Sequence, residues 1–212
     1  MMKREEMSGS WSLSDSIQFC LTISLNKSPE EVMRAYGADA GRAQLLTAER
    51  LPDIPLQGTL LRVGSLGRWS FGIDYDYHIG SKGAVMRDLS AGGESLILYQ
   101  TAKALKCFDY VVDGKIVEHF EPGEPRTARG QSVHQFSQQV EELVSAGFGA
   151  IDASLRAAVR RTGRELTADH LRGPLLSVVI EDPDFIFSDR LDVQLPFPEM
   201  SRVKSRQTGR RL

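Results

Sequence analysis

The chain has 212 residues, of which 41% are hydrophobic and 25% charged. That is a globular composition and a length that suits one fair-sized domain with a small appendage. The formal charge of −2 hides a basic tail, since residues 201–212 carry Arg202, Lys204, Arg206, Arg210 and Arg211, no acidic residue, and leave the remainder at about −7. This argues against a dedicated nucleic-acid-binding domain, whose basic residues form a face of the fold. No apolar run approaches the roughly 20 residues that cross a bilayer, and no apolar h-region follows the charged N-terminus. The expected address is the cytoplasm, with no membrane association. There Cys20 and Cys107, far apart and each inside an apolar strand-like run, read as small buried hydrophobes.

Residues 1–10 are expected to be disordered. A first strand is predicted over 18–23. Ser28-Pro29-Glu30-Glu31 starts a helix: serine caps, proline suits the first helical position, and the glutamates favour the positive end of the dipole. It should end near Gly37. Residues 41–50 fit a second short helix, broken by the prolines that follow. Residues 59–64 and 68–77 flank Ser65-Leu66-Gly67 as a hairpin, setting Val63 against Trp69 and Leu61 against Phe71. Trp69, Phe71, Ile73, Tyr75 and Tyr77 then share one face, and Arg68, Ser70, Gly72, Asp74, Asp76 and His78 the other. That alternation predicts one buried and one solvated face.

Residues 82–89 fit a short helix and 94–101 a central strand. Strands over 103–112 and 115–120 are joined by Asp113-Gly114, a strong hairpin signal. In that register Val112 faces Lys115, Tyr110 faces Val117, and Phe108 faces His119. Residues 123–131, rich in Pro, Gly and charge, read as a linker. Ser132 with Gln135 has the capping-box pattern and opens a helical appendage over 132–181. Its second helix covers 151–162 and stops at Gly163, Thr167 caps a third, and 175–180 is a short strand or buried tail. Residues 182–212 are expected to be extended and partly disordered. The fold class is α+β: an antiparallel sheet of five to six strands with flanking helices over 11–122, followed by the small helical segment packed on it.

Several motifs recur together. They are Trp11, Cys20-Leu21-Thr22, Ser28-Pro29-Glu30-Glu31-Val32 running to Gly37-Ala38, and Val63-Gly64 with Trp69. Leu89-Ser90-Ala91-Gly92 with Glu94 follows, then Ala104-Leu105 through Phe108, Tyr110, Asp113-Gly114, Val117 and Phe120-Glu121-Pro122, then Thr162-Gly163 and Leu166-Thr167. In this order, over about 11–172, the chain resembles an actinobacterial family of proteins classed as a domain of unknown function. The resemblance implies an accessory or immunity-type module and brings no established activity and no catalytic residues. The longer 41–55 segment and the C-terminal extension depart from it.

Two constellations could carry chemistry. Asp74, Asp76 and His78 would project about 7 Å apart along one strand face, a ligand set that hard divalent ions accept. The plainer and favoured reading is a solvated strand face. In the Asp113-Gly114 register Asp109 lies across from Glu118. Such a pair either shares a proton, binds a cation or meets a basic side chain. A salt bridge from a helix on the sheet is favoured. His119 shares a strand parity with Glu121 and reads as an edge or packing histidine. His134 and His170 fall near helix starts and should be exposed. Nucleophile-elbow, Cys-x-x-Cys and phosphate-loop motifs are absent. The acidic cluster Glu181-Asp182-Pro183-Asp184 lacks a calcium loop's spacing, and the basic tail has no aromatic residue to stack on bases.

The leading expectation is therefore a non-catalytic protein-binding module, of immunity, defence or assembly-accessory type. Its partner is another protein, and Trp69, Tyr75, Tyr77 and the tail arginines and lysine supply contact area. Nucleic acid would be met only through the tail, and no cofactor is expected. The alternative is a metal-dependent hydrolase in which Asp74, Asp76, His78, Asp109 and Glu118 hold a divalent cation.

Overall fold

In the computed structural model, which describes residues 13, 16–53, 58–75, 77–130 and 134–181, these elements join in one antiparallel sheet of nine strands. In chain order they are β1 (Phe19–Leu25), β2 (Gln44–Leu46), β3 (Thr59–Leu66), β4 (Trp69–Asp74), β5 (Glu94–Gln100), β6 (Lys106–Val112), β7 (Lys115–Glu121), β8 (Glu124–Gly130) and β9 (Leu175–Ile180). Across the sheet the order is β2-β9-β3-β4-β1-β5-β6-β7-β8. The five to six strands expected become nine for three reasons. The segment expected as a helix over 41–50 forms a 3-10 turn at Ala40–Arg42 and then β2. The expected linker is β8, an edge strand, where proline and charge are tolerated. The end of the expected appendage, β9, inserts between β2 and β3.

Helices cover both faces. On one lie α1 (Pro29–Ala35) and α2 (Gly83–Ser90), whose Val32, Met33, Val85 and Leu89 meet Leu61, Val63 and Val178 of the sheet. On the other lie α3 (Gln135–Ser145) and α4 (Ala150–Thr162), over a larger core that includes Leu21, Phe71, Ile73, Phe108, Phe120 and Phe136. Phe108 stacks on Phe120 at 5.1 Å between ring centres and tilts against Phe136 at 5.1 Å. Such pairs contribute about 0.5–1.5 kcal/mol beyond their burial. A short α5 (Ala168–Arg172) leads into β9.

Local chemistry sets the ends. Ser28 Oγ accepts the Glu31 N–H at 3.2 Å while the Glu31 carboxylate accepts the Ser28 N–H at 2.8 Å, with Pro29 in the first turn, as the sequence predicts. Gly163 stops α4 at φ 66°, and Thr167 caps α5. Ser132, the predicted cap of α3, lies outside the described residues.

Two registers differ from expectation. The β3–β4 connection is the two residues Gly67 and Arg68, so Leu66 faces Trp69 and Gly64 faces Phe71. With Gly67 at φ 70° a two-residue turn is available, and the three-residue loop is not needed. β4 also ends at Asp74, and every one of its residues is buried. The face expected in solvent, with Ser70, Gly72 and Asp74, lies under α1 and the turn at Ile79–Ser81. An added Cβ at Gly72 would come within 3.1 Å of Val32 Cγ1 and 3.2 Å of Thr22 Oγ1, which shows how closely α1 approaches.

Candidate functional site

Asp74 and His78 of the expected Asp74, Asp76 and His78 row do not lie along one strand. Asp74 is fully buried, and its two carboxylate oxygens accept the backbone N–H groups of Ile79 at 3.4 Å and Gly80 at 3.3 Å. Asp76 lies outside the described residues. His78 has left the strand, with φ 50°, and its Nε2 lies 2.9 Å from the Gln100 carbonyl while its ring tilts against Tyr99 at 5.8 Å. Among the described residues no group of three or more His, Cys, Asp and Glu side chains is arranged to hold a metal ion. Of the aromatic residues expected to offer contact area, Trp69 is 4% exposed and belongs to the core, Tyr75 is half-buried beside Arg62, and Tyr77 is 46% exposed. Arg202, Lys204, Arg206, Arg210 and Arg211 lie outside the described residues.

Asp109 and Glu118 are not paired. The Asp113-Gly114 turn forms as predicted, with φ of 46° and 74°, and Val112 faces Lys115. One step on, a bulge inserts an extra residue of β7: Val111 faces Ile116, but Tyr110 faces Glu118 and Phe108 faces Phe120. A one-residue slip carries every later side chain of a strand to the other face. Asp109 therefore lies on the α1–α2 side, opposite His119. Glu118 lies on the α3–α4 side, where its carboxylate accepts the N–H groups of Phe136 at 3.0 Å and Ser137 at 2.8 Å and caps α3. The shared carboxylate site falls with this register.

The bulge creates a different pair. His119 Nδ1 lies 2.7 Å from the Asp109 carboxylate, in a row of facing residues Thr22, Ile97, Asp109, His119 and Arg129 that crosses β1, β5, β6, β7 and β8. Burial falls along that row, from fully buried Thr22 and Ile97 through 4% exposed Asp109 and half-buried His119 to exposed Arg129. The hydrogen bond that His119 donates to the Asp109 carboxylate raises the His119 pKa above its ordinary value, against the opposing effect of burial. Beside the row, Cys20, Tyr99 and Cys107 face one another across β1, β5 and β6. Burial pushes up both the Tyr99 phenol and the Cys107 thiol. The thiols are thus held protonated, as expected of buried cysteines, and Asp109–His119 can exchange one proton with groups that reach β7 and β8.

A family model described as a family of unknown function (DUF6461) matches residues 8–168. The chain belongs to this family. No curated protein and no solved structure matches it significantly. The DUF6461 match takes in the sheet from β1 to β8 and stops before β9.

Two further groupings in this DUF6461 chain escaped the sequence. Arg62, on β3, is 1% exposed and donates to the carbonyls of Leu46, Leu171 and Gly173, joining β2, β3 and the C-terminal end of α5. Burial lowers its pKa. Glu94 receives Arg161 Nε at 3.0 Å and the Tyr110 hydroxyl at 2.5 Å, fastening α4 to β5 and β6. Burial raises the Glu94 carboxyl, and these hydrogen bonds outweigh it and leave it lowered. The parity of Arg62 among Leu60, Gly64 and Leu66 in β3 was the available signal for the first. Nothing local marks the second, whose partners are 67 residues apart.

Proposed function

We propose that the chain is a non-catalytic protein-binding module, in an accessory or immunity-type role in the cytoplasm, and that it takes an extended segment of its partner along β8. The observation that carries this is the position of β8. It is a seven-residue strand at the end of the sheet with β7 beside it on one side and, among the described residues, no strand on the other. Its outward N–H and C=O groups are a template for strand addition. Arg126 and Arg129, exposed and without an ion-pair partner among the described residues, favour an acidic segment there.

The carboxylates considered for metal-dependent hydrolysis have partners within the protein in this geometry. Asp74 holds the turn at Ile79–Ser81, Glu118 caps α3, and Asp109 meets His119. No observation of this geometry favours the hydrolase. The binding reading is tested by selecting displayed extended peptides on the purified chain and following backbone hydrogen exchange. Acidic, strand-forming peptides should be enriched, should slow exchange in β8, and should be lost with Arg126→Glu and Arg129→Glu together. Binding that leaves β8 exchange unchanged, or no enrichment at all, would overturn it.

A further inference from the structure

A concave surface, separate from the β8 edge, lies on the α3–α4 side. A groove of about 280 Å³ runs between α4 and residues 164–168, lined by Leu13, Ile23, Leu155, Val159, Leu166 and Leu171. α4 turns Ala158 toward the groove, so a small side chain stands where a leucine would have narrowed the gap. The volume is roughly twice the ~150 Å³ cavity that accepts benzene and lies just below the range of about 300–1,000 Å³ for ligand pockets.

The mouth is polar and aromatic. Arg156 lies over the Phe148 ring at 4.2 Å, and Phe148 is 37% exposed. Arg164 lines the opposite wall. Among the described residues neither guanidinium has an ion-pair partner. Asp152 and Glu165 also line the groove, but the two guanidiniums, without an ion-pair partner among the described residues, are the groups with bidentate capacity, and they suit a carboxylate.

We propose that this groove binds a small free organic acid, with an apolar body of roughly ten to twelve heavy atoms inside and its carboxylate between Arg156 and Arg164. The apolar wall gains from burying the body, and the guanidiniums discriminate acid from amide because the charge-assisted bonds are lost with the charge.

The probe is 4-phenylbutyrate, with 4-phenylbutyramide as its uncharged match, titrated into the full chain by calorimetry and by methyl-group NMR. The acid should bind saturably and shift the methyl signals of Val159, Leu166 and Leu171. The amide should bind about tenfold more weakly or worse, as should the acid to Arg156→Gln/Arg164→Gln. Both arginines are exposed, so this variant keeps the fold. Val159→Phe, at a half-exposed position of the wall, should abolish binding by filling the groove. No saturable binding, equal binding of acid and amide, or methyl shifts away from the groove would each overturn the proposal.

Discussion

The Glu118 carboxylate accepts the backbone N–H of Phe136 at 3.0 Å, so a residue of β7 caps a helix that begins 17 residues later. It also accepts the Ser137 N–H, which places a negative charge at the positive end of α3 while removing two orphan donors from the core. Glu118→Gln keeps the size but turns an amide group toward one of these donors. It should lower stability by about 1–3 kcal/mol, read from urea unfolding, and speed hydrogen exchange at Phe136 and Ser137.

Asp109 and His119 make stability depend on pH. Because the folded His119 pKa is raised, protonation favours the folded chain. The contribution is fully present below the unfolded value of about 6.5 and is lost as pH rises through the folded value. Asp109→Asn removes the cause. The gap in melting temperature between wild type and variant should be widest near pH 6 and close toward about pH 9, and the His119 ring should titrate lower in the variant. A gap that widens with pH would contradict the assignment.

Arg62 spans three carbonyls from two separate parts of the chain, Leu46 in β2 and Leu171 and Gly173 at the end of α5. Arg62→Lys keeps a charge but cannot reproduce a planar fork. It should cost about 1–3 kcal/mol in chemical unfolding, with faster exchange in β2 and α5 rather than in β6 or β7.

Gly80 is fixed by what surrounds it. A Cβ there would fall 2.6 Å from Thr22 Cγ2, 2.8 Å from Cys20 Sγ, and closer still to the Tyr36 hydroxyl. Gly80→Ala should therefore lower stability by about 1–3 kcal/mol through overpacking, and should disturb the Thr22–Tyr36 hydrogen bond of 3.0 Å. A calorimetric melt of the variant checks it.

Where a feature depends on neighbours in sequence, the sequence sufficed. The Ser28 cap, the Asp113-Gly114 turn, the Gly163 stop and the Thr167 cap each follow from a few consecutive residues. Where it depends on a distant partner, local reading failed for identifiable reasons. The bulge at Ile116–Val117 is one unpaired residue in an otherwise regular strand, and it alone moved Glu118 across the sheet. Asp74 looked solvated because strand parity shows that a face exists but not that a helix will cover it. The charge and proline of β8 are what an edge strand and a linker have in common.

The insertion of β9 orders events in time. β3 bonds to β4 on one side and to β9 on the other, and among the described residues β2 joins the sheet through β9. During synthesis, β2 and β3 therefore emerge more than a hundred residues before the strand that will sit between them. One flank of the nascent sheet stays unzipped until residue 175 and those after it leave the ribosome, a long-range closure of the kind that slows folding. A chain stopped short of β9 should expose the β3 edge and self-associate, even though every residue of its DUF6461 match is present.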